Sequence, residues 1–220
     1  MGKYVVAAVG ELLIDFTQNG FSSQGNPIFE ANPGGAPCNV LAMLQKLGRK
    51  TVFIGKVGRD GFGFQLENAL RETGIATEGL CLDDEVHTTL AVVQKKEDGD
   101  RDFSFYRKPG ADITLREDEV REDLIRGAKI FHFGSLSLTD EPVRKATLRA
   151  VQIAEDAGIL LSFDPNLRKP LWASEDEARE QIRYGLRHCH ILKISDDELI
   201  WLTGAEDYDR AMEQLRAFSS

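Results

Sequence analysis

Cysteine and long apolar runs are both scarce in this 220-residue sequence, and each scarcity argues against a class of protein. Its cysteines, Cys38, Cys81 and Cys189, are odd in number and include no Cys-x-x-Cys pair, which argues against a disulfide framework and a structural zinc site. No apolar stretch approaches the roughly 20 residues that span a membrane. Residues 1–9 lack the charged, apolar and cleavage regions of a signal peptide. We therefore expect a soluble cytoplasmic protein.

Runs of basic residues are also missing. The formal net charge is -9, and lysine and arginine are spread along the chain. An acidic surface repels phosphate backbones, so nucleic acid is not an expected partner. The common nucleotide signatures fail too, since residues 58–63 have the glycine order Gly-x-x-Gly-x-Gly and residues 48–51 do not complete a Walker A motif.

Apolar segments of strand length alternate with amphipathic helical segments along most of the chain. Strands are predicted over residues 5–9, 52–54, 129–133, 159–163 and 191–194, and helices over 37–47, 64–72, 141–156, 174–186, 196–202 and 208–218. Such alternation predicts a mostly parallel sheet with helices on both faces. No strand follows the last helix, so we expect one incomplete α/β domain over residues 1–220.

Two regions depart from this alternation. Strand-like segments occur at residues 12–16 and 28–30, and again at 88–93 and 103–107, where an Asp-Gly pair at residues 98–99 is typical of a hairpin turn. We therefore predict a small antiparallel β lid, formed by residues of about 12–33 and 88–108.

A glycine-rich turn precedes the first predicted helix. It runs from Pro33 through Gly34 and Gly35 to Asn39. Glycines let the backbone approach a ligand closely, and the free N–H groups of a helix start accept polar oxygens. An ordinary turn before a capped helix is the structural alternative.

This turn belongs to a series of segments that together resemble the PfkB, or ribokinase-like, carbohydrate kinases, and most of all their fructokinase branch. The segments are residues 10–15, 33–39, 53–63, 105–107, 134–138, 162–168 and 193–198. Each is weak by itself, but their common order is specific. The resemblance implies a three-layer ribokinase-like α/β fold with its C-terminal part missing. It also implies phosphorylation of fructose to fructose 6-phosphate by ATP with Mg²⁺, and with K⁺ in some relatives.

The resemblance also implies a set of sugar-binding residues. They are Asp15, Gly34, Gly35, Asn39, Phe105, Arg107 and Arg168. Carboxylate and amide oxygens suit vicinal sugar hydroxyls, because an unmatched buried partner is costly. Phe105 and Arg107 are two apart on a predicted strand, so we expect them to share the face that closes over the sugar. A solvated Asp15 and a surface salt bridge of Arg107 are the structural alternatives.

On the nucleotide and phosphate side, the resemblance implies roles for Asn166, Lys193 and Glu198. Glu198 closes a segment in which Ser195 stands where many family members have asparagine, and it matches the glutamate that helps to place Mg²⁺ through water. Acidic residues at a helix start also have a purely structural explanation, because they interact favourably with the helix dipole.

Residues 1–220 contain no Gly-Ala-Gly-Asp element, which in the family supplies the anion hole and the general base. We therefore expect no catalytic base in this chain. A 2-keto-3-deoxygluconate kinase is the alternative within the class, and adenosine kinase is a more distant one. An inactive fragment that binds sugar weakly, or pairs through its lid strands, is the alternative from another class. The resemblance also implies a homodimer that pairs through the lid strands.

Overall fold

The structure is a computed structural model that describes residues 2–95, 101–205 and 207–218. Its strands are Val6–Val9 (β1), Leu13–Phe21 (β2), Pro27–Gly34 (β3), Thr51–Gly58 (β4), Ala76–Asp83 (β5), Leu90–Lys95 (β6), Arg101–Tyr106 (β7), Ile130–Gly134 (β8), Leu160–Asp164 (β9) and Ile191–Leu192 (β10). Its α-helices are Ala36–Lys46 (α1), Gly61–Thr73 (α2), Glu122–Arg126 (α3), Val143–Asp156 (α4), Glu175–His188 (α5), Asp196–Thr203 (α6) and Tyr208–Phe218 (α7). None of these helices is long and apolar enough to cross a membrane.

The larger sheet has six strands in the order β10-β9-β8-β1-β4-β5, and every neighbouring pair is parallel. Helices cover both faces, as the alternation predicts. One face packs on α4 and α5 through Phe131, Phe133 and Phe163, and the other packs on α1 and α2 through Phe53. All of β4 is buried, which is typical of a central strand in a parallel sheet. The predicted three-layer α/β fold is confirmed.

The smaller sheet has the order β3-β2-β6-β7. Its outer pairs are antiparallel, but β2 and β6 pair in parallel at its centre. The prediction of an antiparallel lid is therefore wrong for the central pair. The reason is that β2 and β6 follow β1 and β5, which are parallel strands of the larger sheet, so both enter the smaller sheet in the same direction. We call this four-stranded sheet the lid sheet. The Asp-Gly turn predicted at residues 98–99 lies outside the described residues.

Local signals determine most helix ends. Asp60 caps α2, because its side chain accepts a hydrogen bond from the backbone N–H of Gly63, and this cap extends the helix three residues before the predicted start. Gly74 ends α2 in the left-handed conformation, with φ of 86°. The strand predicted over residues 191–194 is confined to Ile191–Leu192.

Strand β5 was not predicted from the sequence. It contains Glu78 and Gly79, and both residue types are depleted in strands. A Cβ atom at Gly79 would lie 2.6 Å from the carbonyl oxygen of Phe53 on the neighbouring β4. Gly79 is thus required by the close approach of the two strands, a reason that local sequence does not reveal.

Candidate functional site

A polar cavity of about 150 Å³ lies where the carboxyl ends of the larger sheet meet the lid sheet. Its walls are formed by Glu11, Leu13, Asp15, Gly35, Ala36, Asn39, Phe105, Leu136, Asn166 and Arg168. Ligands of open α/β sheets bind outside the carboxyl ends of the strands, so the location is typical of a binding site. Among the residues predicted from the sequence, the cavity brings together Asp15, Gly35, Asn39, Phe105, Asn166 and Arg168.

Asp15 lies on β2 and faces the end of β3. A Cβ atom at Gly34 would lie 2.2 Å from Oδ2 of Asp15, so only glycine leaves room for this carboxylate. Burial raises the pKa of Asp15, and the charge of Arg168 opposes that shift. Gly34 itself lines a second, more apolar cavity of about 290 Å³ behind the turn. Its role at the polar cavity is therefore to make space for Asp15.

Gly35 begins helix α1 with φ of 125°, a conformation that favours glycine. A Cβ atom there would lie 2.4 Å from the carbonyl oxygen of Glu11. The Glu11 side chain also accepts a hydrogen bond of 2.8 Å at Oε1 from the backbone N–H of Ala36. Sequence reasoning assigned no role to Glu11, although an acid directly after a buried strand was a signal that could have found it.

Arg107 lies elsewhere than predicted. Strand β7 ends at Tyr106, one residue before Arg107, and of the two predicted residues only Phe105 reaches the cavity wall. Arg107 is 3% exposed, and its guanidinium donates to Oδ2 of Asp112 at 2.7 Å, to Oγ1 of Thr139 at 2.9 Å and to the carbonyl oxygen of Leu136 at 2.8 Å. The structural alternative of a salt bridge applies to Arg107, but the pair is buried rather than on the surface.

The segment after β9 carries two of the cavity residues. Asn166 has φ of 43°, and its backbone N–H donates to Oδ1 of Asp164 at 3.1 Å. This turn sends Asn166 and Arg168 into the cavity. Lys193 is not in the cavity wall but pairs with Oδ2 of Asp164 at 3.2 Å. Burial raises the pKa of Asp164, and Lys193 opposes the shift.

Glu198 has both carboxylate oxygens engaged by the protein. Oε1 accepts from the backbone N–H of Leu167 at 2.7 Å, and Oε2 accepts from the backbone N–H and the hydroxyl of Ser195 at 2.9 Å each. These bonds form a capping box at the start of α6 and tie it to the segment after β9. Within residues 2–95, 101–205 and 207–218, no group of three acidic, His or Cys side chains could hold a metal directly.

The doubly covered parallel sheet, the four-stranded lid sheet and the polar cavity between them define a class, the α/β proteins with a β lid over the carboxyl ends of the sheet. The chain belongs to the pfkB family of carbohydrate kinases, whose profile matches residues 4–220.

Known proteins of the family resemble this chain along most of its length. It is 46% identical over 209 residues to the probable fructokinase-4 of Arabidopsis thaliana and 48% identical over 201 residues to the probable fructokinase-5 of the same plant. These alignments cover 94% and 90% of this chain but only 64% and 62% of the relatives. The crystal structure of the ATP-bound fructokinase of Xylella fastidiosa matches with a TM-score of 0.88 and 33% identity, over 98% of this chain and 66% of that one.

Proposed function

We propose that the whole protein is an ATP-dependent fructokinase, which transfers the terminal phosphoryl group of ATP to fructose and releases fructose 6-phosphate. The observation that carries this proposal is the cavity, in which a carboxylate (Asp15), an amide (Asn39) and a guanidinium (Arg168) converge beside Phe105. A sugar offers hydroxyl donors and acceptors at short intervals, and this set can satisfy both kinds. The identity to fructokinases gives further support.

The proposed roles divide along the cavity wall. Asp15 accepts hydrogen bonds from sugar hydroxyls, and Asn39 both accepts and donates them. Gly34 leaves room for the Asp15 carboxylate, and the backbone at Gly35 lets the sugar approach the start of α1. Phe105 covers the sugar from the lid sheet and excludes water from it. These groups bind and orient the substrate for transfer.

On the other side of the cavity, Asn166 and Arg168 are proposed to meet the phosphate end of ATP. Arg168 can pair with phosphate oxygens in a bidentate manner. Lys193 and Glu198 are proposed to act on the phosphate side without direct contact with the phosphates, since each is already bonded to a protein group. Mg²⁺ would neutralise charge on the phosphates of ATP. Glu198 is proposed to contact the ion through water, because both of its carboxylate oxygens already accept hydrogen bonds from the protein.

Among related sugars, a neutral one is favoured over a sugar acid such as 2-keto-3-deoxygluconate. A sugar carboxylate would need a guanidinium partner, and Arg107, one of the two candidates, is committed to Asp112. Arg168 remains at the cavity wall and keeps the sugar-acid alternative open to test.

A cytoplasmic homodimer that pairs through the lid sheets is part of the proposal. Apolar side chains at the outer end of this sheet support it, because Phe21, Ile28 and Phe29 are all exposed. Light scattering at working concentration tests it, and a sharp monomer would argue against pairing.

The first test is a coupled assay of the 220-residue chain with Mg-ATP and fructose, in which hexose phosphate is detected by mass. Residues 1–220 lack the Gly-Ala-Gly-Asp element, so we expect fructose binding by calorimetry but no product above a blank. Product would show that another group acts as the base. Tighter binding of 2-keto-3-deoxygluconate than of fructose would move the proposal to the sugar-acid kinase. The same titration in potassium salt and in sodium salt tests whether fructose binding depends on K⁺.

A further inference from the structure

Glu11 is a buried acid on the wall of the sugar cavity. It lies between β1 and β2 and is 3% exposed, yet it lines the cavity beside Asp15, Asn39 and Arg168. Glutamate is rarely buried this fully without a specific partner or a function. One partner is clear, because Oε1 accepts the 2.8 Å hydrogen bond from the backbone N–H of Ala36.

That hydrogen bond replaces a missing helix cap. Helix α1 begins at Ala36, its N-cap residue Gly35 has no side chain to cap it, and the first turn contains no acidic residue. Glu11 supplies the acceptor from another part of the chain, where the positive end of the helix dipole favours it. One carboxyl oxygen therefore fixes the glycine turn. The same carboxyl lines the cavity and also accepts a hydrogen bond from its own backbone N–H.

Charged and titratable groups surround Glu11 from every neighbouring element. They are Asp15 on β2, Cys38 on α1, Arg107 and Asp112 in the segment that follows β7, His132 on β8, Asp164 on β9, and Arg168 in the segment that follows β9. Burial raises the pKa of Glu11 to about 7, while hydrogen bonds from its own backbone N–H and the Ala36 N–H, and the charge of Arg107, oppose the shift. Burial also lowers the pKa of His132 to about 4 and raises that of the Cys38 thiol well above its usual range. Neither of these two groups changes its charge near neutral pH.

We propose that Glu11 is a further substrate-binding residue, which holds the glycine turn with one carboxyl oxygen and, when protonated, donates a hydrogen bond to a sugar hydroxyl with the other. This inference rests on the proposed sugar-binding function. A sugar that fills the cavity displaces water from the carboxyl and so favours its neutral form.

The consequence is that sugar binding takes up a proton. In the free protein Glu11 titrates near pH 7, and in the complex it titrates higher. Affinity is then constant below about pH 7, where the acid is already protonated. It weakens as the pH rises above 7, because the proton must first be taken from solution.

The experiment is calorimetric titration of the 220-residue chain with fructose at pH 6, 7 and 8, in buffers of different ionisation enthalpy that reveal proton uptake. We expect Kd to be about 2–5-fold weaker at pH 8 than at pH 6, which is the effect over this range of a rise of roughly half to one pK unit on binding. Glu11→Gln keeps an acceptor for the Ala36 N–H but does not titrate. Its Kd should be the same at all three pH values, without proton uptake.

Asp15→Asn is the matched control. It should bind fructose more weakly at every pH but keep the pH slope and the proton uptake of the wild type. A wild-type Kd that does not change with pH, or a slope that persists in Glu11→Gln, would overturn the inference. If circular dichroism shows that Glu11→Gln is unfolded, the test is proton uptake by Asp15→Asn. Loss of proton uptake in that variant would assign the proton to Asp15 and overturn the inference. Absence of fructose binding at every pH would instead overturn the proposed function.

Discussion

The two sheets bury their strands to different extents. All eight residues of β4 are buried in the larger sheet, whereas β2 in the lid sheet begins with buried Leu13 and Ile14 and ends at Phe21, which is 67% exposed. Strands β2 and β3, whose burial is described in full, are thus well packed only at the base of the lid sheet, next to the larger sheet. The cavity therefore has one wall with the stability of a domain core and one wall with few buried contacts at its outer end.

The base of the lid sheet is held by one buried acid. Oδ1 of Asp112 accepts from the hydroxyl of Thr89, just before β6, and Oδ2 accepts from Arg107, just after β7. Both strands of the β6–β7 pair are therefore tied to the same carboxylate. Because Arg107 also donates to the carbonyl oxygen of Leu136, the tie reaches the wall of the cavity.

The largest expected effect is the loss of unfolding free energy in Asp112→Ala. This substitution leaves the guanidinium of Arg107 buried without its counter-charge, which typically costs about 3–5 kcal/mol of unfolding free energy. Urea unfolding followed by circular dichroism measures this cost. Asp118→Ala is the matched control, because Asp118 pairs with Arg116 on the surface and its removal should leave the unfolding midpoint unchanged. Equal effects of the two variants would mean that the lid base does not depend on Asp112.

A smaller effect, on binding rather than stability, is expected from Gly34→Ala. The added Cβ atom would lie 2.2 Å from Oδ2 of Asp15, so the carboxylate must rotate out of position. We expect fructose affinity to fall about 10–100-fold, which corresponds to one hydrogen-bonded charged group lost from the site. Calorimetry measures the affinity, and urea unfolding checks that the protein remains folded.

Gly61→Ala is the control for Gly34→Ala. A Cβ atom at Gly61 meets nothing within 4 Å, and the residue is the first of helix α2. Fructose affinity should not change in this variant. If Gly34→Ala bound fructose as well as Gly61→Ala does, the position of the Asp15 carboxylate would not matter for binding.

The sequence predicted the larger sheet better than the site. Most of its strands have continuous apolar runs, and helices α2, α5 and α6 begin with side-chain caps, as at Asp60, so local signals agree with the fold there. The family resemblance implied sugar contacts for both Phe105 and Arg107, but only Phe105 lines the cavity, whereas Arg107, which follows the end of β7, is bonded to Asp112. Glu11 was missed because its role depends on Ala36, which is 25 residues further along the chain. Contacts between distant segments leave no periodic pattern in the sequence.

The smallest effect is expected at the less buried wall of the cavity. Phe105→Ala removes an aromatic ring that lines the cavity from β7. We expect fructose affinity to fall about 10-fold, because the apolar contact between ring and sugar contributes roughly 1–2 kcal/mol of binding free energy. The unfolding midpoint should change little. Tyr106→Ala is the matched control, because Tyr106 lies on the opposite face of the same strand and is 65% exposed. Equal losses in the two variants would mean that β7 contributes to the site through its backbone, and that the aromatic ring of Phe105 does not cover the sugar.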